Sequence, residues 1–416
     1  MNKYSVVLAL FALSMITYVD RVCISAGKDA IAGEMHLSDT SMGMIFSAFA
    51  LGYAVAQIPC GWLADRLGPR LVLAGVVSLW SAMTALTGAS WNLVSLVSIR
   101  FLFGISEAGA FPGSARAICN WLPAGERGRA NGILFSGSRL GGAISFPLLA
   151  WMLARWQWRV AFRILGGLGL SWACFWLLWF RDRPASPHHR EETNPKAAAG
   201  ADDDLPYHAR PIPIFLAMLQ YFASNFTFFI GLSWMLPYLK SQFQLSTSDA
   251  AVFAMAPLLA GTCSQWIAGW MVDALYRSRF RALSRRIPAM LGFTLSLIGL
   301  VTLTHAATPG SATACFTLAV FGSDMTVSPS WVFCADIAGK SAGSVSGAMN
   351  MIGNVGSFAS ANAFPVLEAA TGGAAAYFWA AAALNVIGIG CWLKMGFPAR
   401  GVSLPGIQAG CPVEEA

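Results

Sequence analysis

About twelve stretches of roughly 20 or more mostly apolar residues run through this chain of 416 residues, divided by short polar connections. An α-helix rises about 1.5 Å per residue, so each stretch is long enough to cross the ~30 Å hydrocarbon layer of a bilayer. The runs fall at roughly 5–30, 40–64, 69–90, 92–120, 130–154, 158–180, 212–240, 248–275, 286–305, 310–336, 343–370 and 373–395. They are continuously apolar, where a membrane barrel would show alternation in ~10-residue units. The chain is 56% hydrophobic and only 11% charged, against about 25% charged in a soluble domain. The first run ends at Asp20-Arg21 and lacks a small-residue cleavage site, so it is expected to stay as a first helix and not to be removed as a signal peptide.

The net charge of +7 is unevenly placed. Arg66, Arg70, Arg127 and Arg129 lie in even-numbered connections, and Arg277, Arg279, Arg281, Arg285 and Arg286 lie between the eighth and ninth runs. The opposite connections carry little beyond Lys28, Arg155, Arg159 and Lys240. Cytoplasmic loops collect Lys and Arg, so both termini are expected to be cytoplasmic. Topology thereby explains the basic balance, and no nucleic-acid partner is expected. The nine cysteines are scattered with no CxxC pair and read as small buried helix residues, neither a disulfide frame nor a metal site.

Residues 181–210, RDRPASPHHREETNPKAAAGADDDLPYHAR, interrupt the apolar pattern and read as a cytoplasmic linker, with His188 and His189 solvated in it. The organisation that follows is a bundle over 1–180, the linker over 181–210, a second bundle over 211–396 and a tail over 397–416. The halves echo each other. GWLADRL at Gly61–Leu67 returns as GWMVDAL at Gly269–Leu275, and NGILFSGSRLGG at Asn131–Gly142 is echoed by SGAMNMIGNVGS at Ser346–Ser357. Duplicated six-helix units with a midplane site between them are a common transporter design.

GWLADRLGPR at Gly61–Arg70 resembles the loop between helices two and three of the major facilitator superfamily. YVDR at Tyr18–Arg21, RFLFGISEAGAFPGSARAICNWLPAGERGRANG at Arg100–Gly132 and WFRDRP at Trp179–Pro184 are similar to its anion:cation symporter branch, which includes sugar-acid carriers. The resemblance implies an all-α membrane protein of twelve transmembrane helices in two pseudo-symmetric six-helix bundles. It also implies a gating cluster of Gly61, Asp65, Arg66, Gly68 and Arg70 that latches the outward-open state. Asp65 suits a neighbouring helix N-terminus, and Arg66 and Arg70 are expected to bridge to acids across the two halves. Asp273 holds the second copy, where DALYRSR replaces DRLGPR and a weaker latch is expected.

Asp20, Arg21, Arg100, Glu107 and Arg139 lie inside apolar runs. A charge at bilayer depth costs at least ~2.5–3.5 kcal/mol and usually lines a substrate or proton path. Three of the five are cationic, which points to an anion. Asp20 and Arg21 point ~100° apart on one helix, so one can face a cavity while the other meets a neighbour. Arg100 and Glu107, seven residues apart, share a face and are separated by roughly 10 Å. The resemblance implies that Asp20 and Glu107 are the protonatable carboxylates, with Arg21 and Arg100 setting their protonation and attracting the anion. It also makes Tyr53 a substrate contact, or else a packing aromatic. Arg139 reads as a second cationic contact, suited to a dicarboxylate or a bulkier anion, or as a structural partner of Glu107; Ser138 beside it is a further contact. Asn350 and Asn354 are spaced to offer hydroxyl contacts from one helix face, and Gln220 and Asn225 are weaker candidates. Asp324 could neutralise an arginine, bind hydroxyls or cap a helix.

No Walker motif, nucleophile–base pair or metal cluster appears in the sequence, so neither ATP-driven transport nor an enzyme is expected, and no cofactor is called for. The expected function is proton-coupled symport of an organic anion, most simply an aldonate, aldarate or hexuronate, by a multi-pass monomer in the cell membrane. Its partners would be the anion, protons and membrane lipid. The alternative is a proton-coupled exporter of an amphipathic drug or other small molecule.

Overall fold

A computed structural model describes residues 2–182, 211–245 and 247–395. The linker from residue 183 onward, with His188 and His189, and the tail from 397 lie outside the described residues. Every regular element among those described is helical. The first half holds α1 (Lys3–Ala26), α2 (Lys28–Met35), α3 (Asp39–Leu67), α4 (Pro69–Thr87), α5 (Leu93–Glu107), α6 (Ala110–Trp121), α7 (Arg127–Arg155) and α8 (Trp158–Trp179). The second holds α9 (Pro211–Ser233), α10 (Met235–Phe243), α11 (Thr247–Tyr276), α12 (Arg286–Leu303), α13 (Pro309–Met325), α14 (Val327–Ala338), α15 (Ala342–Thr371) and α16 (Ala375–Lys394). Eight spans among the described residues are long and apolar enough to cross a membrane, α5 and α6 together forming one of them. Large apolar side chains also point outward, among them Leu8, Val55, Leu178 and Phe358, as lipid contact requires and water would penalise.

The same local chemistry starts and breaks corresponding helices. A capping box of Asn92 and Ser95 opens α5, and one of Thr308 and Ser311 opens α13. Pro112 is the third residue of α6, and Pro329 is the third residue of α14. A proline ring clashes with the carbonyl four residues before it, here at Ala108 and Met325. The apolar runs expected as single helices at 92–120 and 310–336 are therefore each divided at that point.

Packing repeats as well. In the first half α1 lies on α7, α3 on α5 and α4 on α8; in the second, α9 lies on α15, α11 on α13 and α12 on α16. The halves meet through α3 with α15 and α7 with α11. Glycine permits both crossings. A Cβ on Gly61 would lie 2.3 Å from the Gly343 carbonyl oxygen, and one on Gly347 would lie 2.6 Å from that of Gln57. At the related crossing, a Cβ on Gly269 would lie 2.6 Å from the Gly128 oxygen, and one on Gly132 would lie 2.4 Å from that of Gln265. Cys23, Cys60, Cys334 and Cys391 are buried, whereas Cys174 and Cys263, also within helices, are exposed and depart from the reading of the cysteines as small buried residues.

Overpacking such a contact typically costs about 1–3 kcal/mol. Gly347→Val should therefore lower the thermal midpoint of the purified protein. Gly75→Val, at a position with nothing within 4 Å of a new Cβ, should leave it unchanged.

Candidate functional site

A cavity between the halves contains about 540 Å³ of empty space, part of it continuous with solvent. Six residues expected to bind substrate line it: Arg21, Tyr53, Ser138, Arg139, Asn350 and Asn354. Asn225 and Asp324 also line it, as do Tyr18, Tyr221 and Ser224, which were not anticipated as contacts. Tyr18 stood in plain view beside Asp20, but a tyrosine in an apolar run carries no signal separating a cavity wall from packing.

The neighbours Asp20 and Arg21 part as helical geometry requires. Arg21 turns into the cavity, stacked 4.5 Å from the Tyr53 ring centroid and 5.2 Å from that of Tyr18. Asp20 turns away toward α4, where its Oδ2 accepts a 3.0 Å hydrogen bond from the Trp80 indole nitrogen. Glu107, fully buried on α5, accepts from Nε of Arg21. Arg100, 2% exposed, lies behind the cavity wall with its guanidinium 4.4 Å from the Phe103 ring centroid. Four polar atoms in this group have no hydrogen-bond partner within the protein: Asp20 Oδ1, Glu107 Oε2, Arg21 Nη2 and Arg100 Nε. A buried cluster whose polar atoms are incompletely paired within the protein leaves sites open to a proton or a water.

Arg139 is paired with Asp324 and not with Glu107. Its Nε lies 2.9 Å from Oδ2 and 3.2 Å from Oδ1 of Asp324, and its Nη2 donates to the same carboxylate. The pair crosses between the halves, from α7 to α13. Gln265 donates to Asp324 at 3.3 Å, and Phe228 lies beneath the guanidinium at 3.8 Å. Opposite, the Asn350 amide donates to the Tyr53 hydroxyl at 3.2 Å, and the Asn354 amide donates to the Asn350 carbonyl at 2.7 Å. Gln220 is not in the cavity. Its Oε1 accepts from Trp392 and Ser330, each at 3.2 Å, which makes it a structural tie inside the second half.

The end of the molecule that carries α1's first turn is held shut. Asp65 accepts from the backbone nitrogens of Gly343 and Ser344, both at 2.8 Å, and from the Ser344 hydroxyl at 2.7 Å. It thus caps the first turn of α15, where unpaired N–H groups and the helix dipole favour an anion. Asp273 does the same for α7, accepting from Gly128 at 2.8 Å and Arg129 at 2.9 Å. The second copy was expected to be the weaker, yet it makes the same two backbone bonds. The reason is that the carboxylate and the crossing glycine do this work, and both survive in GWMVDAL.

Arg66 and Arg70 do not reach across the halves. Arg66 stacks on Trp62 of its own helix at 4.3 Å. Arg70 donates its backbone N–H to Asp182 at 2.8 Å and its side chain to the Leu177 carbonyl, beneath Gly68, whose φ of +82° puts it in the region glycine favours. At this end the ion pairs that cross, among the described residues, are Arg127 with Asp336 at 3.4 Å, Arg129 with Asp273 at 3.7 Å and Arg277 with Glu126 at 3.7 Å; Glu126 also holds Lys3 at 2.6 Å. At the far end Glu34 accepts from Arg159 and from Trp158, and these bonds hold its carboxyl below the ordinary glutamate range.

A model described as the Major Facilitator Superfamily matches residues 10–361. The probable sulfoacetate transporter SauU of Cupriavidus necator is 33% identical over 359 residues, covering 84% of this chain and 83% of that protein. The hexuronate transporter of Bacillus subtilis is 30% identical, covering 85% of each chain. The probable galactarate/D-glucarate transporter GarP of Escherichia coli is also 30% identical, covering 86% of each. Among solved structures, the proton:xylose symporter XylE bound to 6-bromo-6-deoxy-D-glucose superposes with a TM-score of 0.72 over 94% of this chain and 95% of that one. At 15% identity that likeness establishes the fold.

Loss of a charged cap costs about 1–2 kcal/mol. Asp65→Ala and Asp273→Ala should therefore each loosen the closed end by similar amounts. The measurement is the alkylation rate of Cys119 with the other cysteines changed to serine; a tenfold disparity between the two variants would show that the latches are unequal.

Proposed function

This chain belongs to the Major Facilitator Superfamily, and we propose that within it the protein is a proton-coupled symporter of an organic anion, with sugar acids (aldonates, aldarates or hexuronates) as the leading class. That it is a transporter, no enzyme, and a multi-pass membrane protein follows from the family and the relatives. The relatives named for hexuronate, galactarate/D-glucarate and sulfoacetate support an anionic substrate, and the XylE neighbour supports proton coupling.

One observation carries the reading. The cavity presents Arg21, and the carboxylate that neutralises it, Glu107, is buried immediately behind the wall. A proton placed on Glu107 removes the counter-ion and leaves the guanidinium free for an anion. Arginine suits the task because it stays charged and offers a planar fork to a carboxylate. Asp20 is the second proton site, held by Trp80, with Arg100 setting the charge balance behind the wall. Asn350, Asn354 and Tyr53 offer hydrogen bonds to substrate hydroxyls from the opposite side.

Twelve spans, in two bundles over 1–180 and 211–396 with both termini cytoplasmic, complete the proposal. The closed end bearing Arg127, Arg277 and Arg285 then faces the cytoplasm, and the cavity belongs to a state in which the Asp65 and Asp273 latches are engaged. Proton and anion binding free the halves to rock, the latches part, and the anion leaves inward as the carboxylates lose their protons. Export of an organic cation fits less well, because Asp324 is occupied by Arg139.

In liposomes under an inward proton gradient, Glu107→Gln should lower hexuronate uptake at least tenfold while leaving hexuronate exchange, and Arg100→Ala should abolish uptake. Full gradient-driven uptake by both would refute the mechanism. Thermal stabilisation by sugar acids identifies the substrate; a ligand at 100 times its Kd adds about 2.7 kcal/mol.

A further inference from the structure

We propose that Asp324 is the second half's counterpart of Glu107, a proton-accepting counter-ion to Arg139, and that the cavity therefore suits an acid with two anionic groups. This rests on the symport reading above.

The correspondence lies in the chain itself. Glu107 stands five residues before Pro112 in EAGAFP, and Asp324 stands five residues before Pro329 in DMTVSP. Both prolines are the third residue of the helix that resumes after the break, so both acids end a helix that a proline interrupts: Glu107 as the last residue of α5, Asp324 as the last but one of α13. Both are fully buried, and both take an arginine that lines the cavity. The Tyr53 position of the first half corresponds, in the register that pairs Gly61 with Gly269, to Gly261. A Cβ at Gly261 would lie 2.2 Å from Asp324 Oδ2, so the carboxylate occupies space that only glycine leaves open.

The two arrangements differ in one respect. Arg21 and Glu107 both belong to the first half, while α9, the counterpart of α1, contains no Lys or Arg. Asp324 pairs instead with Arg139 of the first half. The groups facing it are few. From α7 comes Arg139 and from α11 Gln265, while α12 brings Gly292 and Ser296 against the neighbouring Gly322. From α9, Ser224 bonds the adjacent Ser323, and the phenols of Tyr18 and Tyr221 line the same cavity. On α10, Tyr238 meets Phe316, more than two turns along α13 from Asp324.

In the present pairing the Asp324 carboxylate fills the fork of Arg139 in the way a substrate carboxylate would. A proton from the outer solution that binds this carboxylate leaves the guanidinium charged and open to one anionic group, while a proton on Glu107 opens Arg21 to another. Both protons leave inward with the substrate, so the cavity's charge is restored. A sulfonate–carboxylate and a dicarboxylate meet this requirement equally.

The test uses the full chain in liposomes, with sulfoacetate and galactarate as two-headed probes and a hexuronate as the single-headed one. Wild type should carry both two-headed acids. Asp324→Asn should carry about one proton fewer per sulfoacetate, read from the reversal of flux against opposed gradients. Should that variant fail to fold, R139Q/D324N keeps the site neutral, and its ratio of two-headed to hexuronate uptake should fall at least tenfold. An unchanged ratio, an unchanged proton count, or wild-type sulfoacetate uptake by the charge swap R139D/D324R would overturn the proposal. So would a wild type that carries the hexuronate alone, which leaves the symport reading standing. A wild type that moves none of the three acids removes both.

Discussion

A guanidinium held at the depth of the hydrocarbon has to be neutralised by something close at hand, and the centre of this protein is arranged around that requirement. Arg21 is met by Glu107 and Arg139 by Asp324, with Asp20 and Arg100 buried beside the first pair. Removing one member of a buried pair leaves an uncompensated charge, typically at a cost of about 3–5 kcal/mol. Such a pair is therefore held together until a proton or an anion takes the place of one partner. Neutrality and ligand binding then become the same event, which is the physical basis of the coupling proposed above.

The helices carry this centre because they cross without side chains between them. At both inter-half crossings a glycine lies against a carbonyl, and an aspartate caps the helix that begins there. Backbone contact of this kind is closely packed and tolerates little intermediate displacement, which is what the proposed rocking of the halves would have to break. The proline breaks in the α5–α6 and α13–α14 spans put an acid beside each interruption, where the chain departs from a regular helix at the level of the cavity.

Much of this was legible in the residues. The apolar runs, the repeated GWxxDxL motif and the shared helix face of Asn350 and Asn354 follow from periodicity and helical spacing, which are local. Asp65's role as a cap was also readable, since an anion near a neighbouring helix N-terminus is favoured by its free N–H groups and dipole. The failures share a cause. Arg66 and Arg70 were expected to reach across the halves, but Asp182, the Leu177 carbonyl and Trp62 are nearer. Gln220 was a weaker candidate contact, as a polar side chain within an apolar run, yet it lies on the face turned to Trp392.

The order of residues by itself determined that the chain crosses a membrane many times, that it is a duplicated helical carrier, and that charges lie within its spans, because hydrophobic length and repetition are properties of the chain. Only the tertiary structure decided which charge meets which. Pairing depends on how two helices far apart in sequence are rotated against each other, and a rotation of one residue, about 100°, exchanges a cavity-facing side chain for a buried one. Asp20 and Arg21 show this most directly: adjacent in the chain, one faces Trp80 and the other the cavity.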